Sequence, residues 1–167
     1  MKKYASLSLY LLLSTAVAAA AAPAKPDIPA SMKAPDIFVV HVGGFLGSSY
    51  SAQLKDRKVI YRKTARGKLV AEKAISVSAG QWQKFWTVMN EIHLEKWAKR
   101  YDNQNVADGT QWSISMRVNG KKYESGGSNN FPGDLDPAKG NNSPQSSERF
   151  KRLLKALRDL LGGVEFS

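Results

Sequence analysis

The segment from Asp36 to Val77 contains four runs rich in β-branched residues, joined by short polar or glycine-rich connections. We predict four strands here: Asp36–Val42, Ser48–Leu54, Val59–Thr64 and Leu69–Val77. The connections Lys55–Lys58 and Ala65–Lys68 are too short to hold a crossover helix, so the strands that they join must be antiparallel neighbours. This segment therefore constrains the chain to an antiparallel meander.

After this segment the apolar period changes from that of a strand to that of a helix. Ser78 and Gln81 have the S-x-x-Q spacing of a capping box, in which each side chain bonds a free backbone N–H of the first turn. Four large apolar residues follow on one helical face: Trp82, Phe85, Trp86 and Met89. We predict a helix that ends near His93, and we assign this stripe and the later pair Trp97 and Tyr101 to the core.

A hairpin is predicted next. Residues 112–118 alternate between apolar and polar, and Asn119-Gly120 supplies two positions that tolerate positive φ, which is a strong signal for a two-residue hairpin turn. Lys121–Glu124 is the predicted return strand, and it places Tyr123 on the buried side.

The chain closes with a predicted helix, in which Ser143 is the cap, Pro144 the first helical residue and Gly162 the residue just past the end. Its leucines recur at helical spacing and form a buried stripe. The order of elements predicts an α+β fold: an antiparallel β-meander plus a hairpin, with two helices packed on one face.

The polar segment between hairpin and terminal helix divides into two parts. Asn129 and Asn130 can bond their own turn, and Phe131 is placed to insert into the core, so we predict a structured corner up to Pro132. Residues 133–142 form an irregular connection whose length is typical of a functional or disordered loop.

Asp134 and Asp136 in this loop raise the alternative of a calcium site. The EF-hand pattern fails, because Ala138 stands where a ligand is required and no late glutamate closes the loop. Turn formation explains these residues better, and we predict no metal and no cofactor.

The N-terminus has the composition of a secretory signal peptide: two lysines, a short apolar run and a stretch of alanines. We predict a cleaved signal peptide at 1–22, a flexible tether at 23–35, one α+β domain at 36–162 and a tail at 163–167. About 130 residues follow the tether, which suits one domain with one core. The signal peptide predicts a periplasmic or secreted protein with no transmembrane segment after cleavage. Because the sequence has no cysteine, we predict that it is not a lipoprotein.

The formal net charge is +11 at pH 7, to which Lys2 and Lys3 of the predicted signal peptide contribute. This balance favours an acidic extracytoplasmic protein or an anionic glycan as partner, and no nucleic acid is expected. Seven cations lie in one segment: Lys55, Arg57, Lys58, Arg62, Lys63, Arg66 and Lys68. They form either a docking surface or a device that discourages edge-to-edge aggregation of strands.

The sequence offers little for catalysis. His41 lies within a predicted strand and His93 at a predicted helix end, and neither has a neighbouring residue that suggests a metal site or a general base. A hydrolase is therefore the weakest of the functional alternatives.

Three motifs occur in order: Trp82-x-x-Phe85-Trp86, then Asp108-Gly109-x-x-Trp112, then Gly127-Ser128-Asn129-Asn130-Phe131-Pro132. This succession resembles a group of small exported bacterial proteins of unassigned function, and it implies a shared fold without an activity. Separately, Gly43-Gly44-Phe45-x-Gly47 is similar to a segment of emfourin-type inhibitors of thermolysin-like metalloproteases, and this similarity implies an inhibitor.

These observations together predict an exported, non-enzymatic binding module, acting as a protein-binding inhibitor or an immunity-like factor of the cell envelope. The alternative is a protein that binds an anionic glycan or the envelope surface. Three regions are the predicted contacts, since recognition usually lies in loops on a rigid framework. They are the Gly43, Gly44, Phe45 and Gly47 segment, the seven cations named above, and the loop residues Asn129, Asn130, Phe131, Asp134 and Asp136.

Overall fold

A computed structural model describes residues 34–44, 47–106 and 108–166. Within them lie seven strands and two α-helices: β1 Ile37–Gly43, β2 Ser48–Lys55, β3 Lys58–Ala65, β4 Lys68–Ile75, α1 Ala79–Glu91, β5 Tyr101–Asp102, β6 Gln111–Val118, β7 Lys121–Ser128 and α2 Glu148–Leu160. The predicted α+β class is confirmed. The predicted signal peptide, 1–22, and most of the predicted tether, 23–35, lie outside the described residues.

The strands form one mixed sheet in the order β4-β3-β2-β1-β6-β7-β5. Neighbouring strands are antiparallel except at β5, which pairs in parallel with the end of β7. The expectation of a purely antiparallel sheet is therefore wrong at this one edge. The two-residue strand β5 is too short to give a periodic signal in the sequence.

Three hairpins of the sheet close through two-residue turns in the left-handed region. The φ angles are 49° and 62° at Asp56-Arg57, 49° and 75° at Arg66-Gly67, and 49° and 76° at Asn119-Gly120. Two successive positive φ angles identify type I′ turns, whose twist matches that of the strands they join. Two of the three turns have the glycine that this geometry favours, and Asp56-Arg57 does not.

The core lies on one face of the sheet. Phe38, Val40 and Val42 of β1 point to this face and are buried, as are the residues directly opposite them on β6. Phe38 contacts α1, with its ring centroid 5.1 Å from that of Trp82. The ring of Phe150 on α2 lies 4.9 Å from that of Trp112 on β6. Aromatic side chains of both helices thus contact the same face of the sheet.

Trp112 is the centre of the aromatic packing near one end of the sheet. Its ring lies within 6.3 Å of four others, those of Trp97, Tyr101, Phe131 and Phe150. Its indole N–H donates to the backbone oxygen of Asn130 at 2.9 Å. Phe131 is 1% exposed, so the predicted insertion of this ring into the core is confirmed.

The return strand β7 is longer than predicted and continues to Ser128. Residues 125–128 pair with 111–114 of β6, so Gly126 and Gly127 lie in the strand and not in a turn. A Cβ at Gly127 would lie 2.6 Å from the Asn130 oxygen, the Trp112 Nε1 and the Tyr101 oxygen. Glycine is required here because three polar atoms approach the backbone closely.

The predicted start of the terminal helix at Ser143 is wrong. The N-cap of α2 is Ser147, whose hydroxyl accepts from the Phe150 amide at 3.2 Å. The Asp134 carboxylate accepts from the next two free amides, at 3.1 Å from Glu148 and 2.8 Å from Arg149. Ser147 is itself local to the helix, whereas the Asp134 contacts, which also support this start, are distant in sequence and could not be predicted from a local spacing rule.

Residues after α2 contribute to the core, although we predicted a tail at 163–167. Phe166 has no exposed surface, and its ring centroid lies 5.9 Å from that of Tyr50 and 6.3 Å from that of Tyr61. Gly162 and Gly163, with φ of 74° and 83°, turn the chain back toward β2 and β3.

We predict that Gly127→Ala lowers the free energy of unfolding by about 1–3 kcal/mol, because the added methyl group overpacks the contact among β5, β7 and Trp112. Gly80→Ala is the matched control. Nothing lies within 4 Å of a Cβ at this α1 position, and the change should stabilise the helix by about 0.5–1 kcal/mol. Urea unfolding of both variants measures the two effects, and equal values would contradict the role given to Gly127.

Candidate functional site

Several connections meet at one end of the sheet, beside the Trp112 cluster. Gly43 at the end of β1 lies between Ser49 of β2 and Gln111 of β6. The β3–β4 turn comes to the same end, where the Arg66 amide donates to the Gly47 oxygen at 3.3 Å. We name this region the loop edge and define it as Gly43, Gly44, Gly47, residues 65–68 and residues 108–110.

The loop edge is closely packed at Gly43 and Gly44, whereas nothing lies within 4 Å of a Cβ at Gly47 or Gly67. A Cβ at Gly43 would lie between 2.2 and 2.5 Å from atoms of Ser49, and one at Gly44 would lie 2.6 Å from the Gly109 oxygen. These glycines let backbone segments approach each other, which fixes where the connections leave the sheet. Phe45, the remaining predicted contact of this segment, lies outside the described residues.

Two exposed apolar side chains lie directly next to the loop edge. Leu69 is 59% and Val70 60% exposed. They follow Lys68 on β4, which is an edge strand of the sheet. Pairing shifts from Thr64–Leu69 to Lys63–Ala71, so Val70 has no partner on β3 and forms a bulge. Consecutive apolar residues could have drawn attention to this pair, but the bulge could not be predicted from the sequence.

The loop edge has a cationic border. Within the described part of the chain, no carboxylate lies within ion-pair distance of Arg66 or Lys68. An exposed apolar pair therefore lies beside two uncompensated positive charges.

The seven cations of the sequence do not form one surface. Because β3 has eight residues, its two turns lie at opposite ends of the strand, about 25 Å apart. Lys55, Arg57 and Lys58 occupy the turn far from the loop edge. Between the turns, Arg62 and Lys63 point to opposite faces of the sheet.

Lys63 points to the core side and is used within the domain. Its Nζ lies 2.6 Å from a carboxylate oxygen of Glu165. The other oxygen of this carboxylate accepts from the Tyr50 hydroxyl, and the Tyr61 hydroxyl donates to the Glu165 backbone oxygen at 2.7 Å. These bonds fasten the chain end over β2 and β3, so Lys63 is not presented to a partner as predicted.

The same contacts shift several pKa values. The hydrogen bond from Lys63, followed by that from Tyr50, lowers the pKa of Glu165. The hydrogen bond to Glu165 raises the pKa of Lys63. Burial raises the pKa values of Tyr50 and Tyr61, so both hydroxyls keep their protons at neutral pH.

The predicted contacts Asn129, Asn130 and Phe131 lie inside the domain, with exposures of 3%, 5% and 1%. Asn130 accepts from the amides of Phe131 and Asn142, both at 3.0 Å. Asn129 adopts a φ of 51°, which asparagine tolerates better than most residues. These side chains stabilise the corner and do not form a contact surface.

The loop that follows Pro132 is held in place by side chains of the domain. The Arg149 guanidinium donates to the backbone oxygens of Gly133 at 3.1 Å and Ile92 at 2.7 Å. Asp136 accepts from the Ala138 amide at 3.0 Å, as expected for turn formation. Leu135, between the two aspartates, is fully exposed. In the described part of the chain, no three His, Asp or Glu side chains could together hold a metal ion.

The two histidines lie on different elements, and His41 is on β1 two residues before Gly43 of the loop edge. His41 is half-buried on the sheet face opposite the core, directly between Ser51 and Ser113, and burial lowers its pKa. His93 follows α1 in the left-handed conformation with φ of 52°, and its ring lies 3.3 Å from the Glu95 carboxylate.

No helix in the described ranges is long and apolar enough to cross a membrane. Comparison with known proteins finds no family model, no curated protein and no solved structure that matches this chain. The two motif resemblances therefore stay predictions.

We predict that the stabilising effect of Glu165 depends on pH. A carboxylate whose pKa is lowered on folding contributes stability above its unfolded pKa, and this contribution is lost as pH falls through the folded pKa. The melting temperature should therefore be higher for the parent protein than for Glu165→Gln near pH 7, and the difference should disappear as the pH falls through the lowered pKa of Glu165.

Glu124→Gln removes one carboxylate elsewhere on the surface and controls for the change in net charge. If Glu165→Gln and Glu124→Gln give the same pH profile, the specific contribution of the Glu165 contacts is contradicted.

Proposed function

We propose that this protein is an exported, non-enzymatic binding module that acts on another protein of the cell envelope, as an inhibitor or immunity-like factor. The observation that carries the proposal is the exposed pair Leu69 and Val70, which lies beside the cations Arg66 and Lys68 at the loop edge. Export is supported by the N-terminal sequence, which has the composition of a signal peptide.

This surface has the chemistry of a protein interface. Interfaces combine an apolar centre with a polar rim, and Leu69 and Val70 would provide such a centre. Burial of a leucine or valine side chain contributes about 1.5–3 kcal/mol each relative to full exposure. Burial of Leu69 and Val70 by a partner would contribute less free energy than this, because both side chains are already partly covered in the free protein.

The order of the loop edge in the free protein also favours binding. A surface that is already ordered loses little conformational entropy when it binds. The glycine contacts at Gly43 and Gly44 and the adjacent Trp112 cluster hold the loop edge in place. We also propose that both helices cover a single face of the sheet, which leaves the loop edge and the β4 edge available to a partner.

The cations favour an acidic partner. Unpaired charges at the border of an interface raise the rate of association with a surface of opposite sign more than they raise affinity. Arg66 and Lys68 should therefore increase the on-rate at low salt, while Leu69 and Val70 should determine how long the complex lasts.

Capture from an extracytoplasmic extract of the source cells tests this function. The purified mature chain is immobilised, and retained proteins are identified by mass spectrometry at low and at high salt. We expect a specific protein that persists at high salt, because apolar burial is not screened. Leu69→Asp should reduce its retention by roughly tenfold or more, since a charge replaces buried apolar surface.

Leu135→Asp is the matched control, since it makes the same substitution at an exposed leucine of a different loop. It should leave retention unchanged. If Leu135→Asp abolishes retention and Leu69→Asp does not, the interface lies at the 133–139 turn and the proposed position is wrong. If no protein is retained at either salt concentration, the function itself is contradicted.

The inhibitor form of the proposal has its own assay. The similarity of Gly43-Gly44-Phe45-x-Gly47 to emfourin-type inhibitors favours a thermolysin-like metalloprotease as target. Hydrolysis of a peptide substrate by such a protease should fall as the protein is titrated in, and Leu69→Asp should weaken this inhibition. If the protease keeps its full activity at a saturating concentration of this protein, the protein is not an inhibitor of such proteases, and the proposal reduces to an immunity-like factor.

A further inference from the structure

A second charged surface lies at the opposite end of the sheet from the loop edge. Lys55 and Lys58 face each other directly across the β2–β3 hairpin, and Arg57 lies in the turn between them. In the described ranges, none of these three cations has a carboxylate within ion-pair distance. We name Lys55, Arg57, Lys58 and Arg62 the turn cluster.

The arrangement is unfavourable for folding. Like charges directly opposite each other in an antiparallel pair repel and destabilise the hairpin. Arg57 adds backbone strain, because it adopts a φ of 62° at a position where the two other turns have glycine. Local repulsion and strain concentrate where a chain binds a ligand, so the turn cluster is a candidate for an anion site.

The cluster borders a shallow cavity of about 270 Å³ on the sheet face opposite the core. Lys55, Lys58 and Arg62 line it together with Ile60, and two carboxylates, Asp56 and Glu72, also belong to its lining. Glu72 pairs with Arg62 at 2.5 Å. Three cations and two carboxylates give this lining a net formal charge of +1. Because Glu72 pairs with Arg62, the uncompensated charge lies at the two opposed lysines and at the adjacent Arg57.

The spacing of the cations points to a ligand with several negative groups. Lys58 and Arg62 are four residues apart on one strand, which corresponds to about 13 Å. Both point to the same face, since side chains alternate along a strand. A single small anion cannot contact both ends of this row. A linear polymer can follow it and reach the guanidinium of Arg62 beside Glu72, which contacts the Arg62 Nε.

The residues that line the cavity favour one class of anionic polymer over the others. Among the described residues that line the cavity there is no aromatic side chain, and single-stranded nucleic acids are usually bound by stacking of their bases on aromatic side chains. Protein interfaces typically have an apolar centre, and among the same lining residues Ile60 is the one aliphatic side chain. We propose that the turn cluster binds a linear anionic polysaccharide through its sulfate or carboxylate groups, at a site separate from the loop edge.

Fluorescence anisotropy with labelled oligosaccharides tests the site on the full chain. One probe is a sulfated oligosaccharide and the other an oligogalacturonate, so that the two anionic groups are distinguished. Lys55→Gln/Lys58→Gln should weaken binding by roughly tenfold or more, because two charges that contact the ligand are lost. Binding should also weaken steeply as salt is added.

Arg66→Gln/Lys68→Gln is the matched control, because it removes two charges from the hairpin turn at the other end of β3. It should change the affinity by less than about threefold, as expected from net charge alone. Arg57→Gly should weaken binding and also raise the melting temperature by about 2–4 °C, because it relieves the strained turn.

Three results would overturn the proposal. One is no binding of either oligosaccharide at low salt, and another is equal weakening by the two double variants, which would show attraction by net charge only. The third is equal binding of polyglutamate, which would make the ligand an acidic polypeptide. Leu69→Asp should leave the affinity for the oligosaccharide unchanged. The proposal of protein binding at the loop edge and that of polysaccharide binding at the turn cluster can therefore be contradicted independently.

Discussion

The packing around Trp112 is the contact on which this end of the domain depends. Its ring joins the sheet to α2 through Phe150 and to the corner through Phe131, while its indole N–H satisfies the Asn130 oxygen. The same residue lies between Val42 of β1 and Gly127 of β7. One buried side chain therefore holds together the adjoining ends of β1, β6 and β7, and aromatic groups of this size contribute more to a core than any single aliphatic side chain.

The two ends of the sheet differ in chemistry, although the sequence gives both a basic turn. At the loop edge, cations lie beside exposed apolar side chains, which suits a protein interface. At the turn cluster, cations lie opposite each other with little apolar surface, which suits an anionic polymer. Antiparallel pairing causes this separation, because consecutive turns of a meander lie at alternate ends.

Regular elements could be predicted from the sequence because their signals are local. The Ser78–Gln81 capping box, the Asn119-Gly120 turn and the stripe from Trp82 to Met89 each specify a structure within a few residues, and each is confirmed. Several of the errors involve contacts between distant segments. Asp134 caps α2, Phe166 fills a space between Tyr50 and Tyr61, and β5 pairs with the end of β7. The cation-rich segment also looked continuous in the sequence, and only the sheet shows that its charges point in different directions.

The central claim is that the corner and the strand ends are ordered before any partner binds, and native-state hydrogen exchange of the free full-length protein tests it most directly. The Asn129 amide donates to the Thr110 oxygen at 2.9 Å, and the Asn141 amide to the Phe131 oxygen at 2.8 Å. If Trp112 holds this region as described, these amides should exchange at rates close to those of the central strands β1 and β6. Exchange at the rate of an unstructured loop, while β1 and β6 stay protected, would contradict the account.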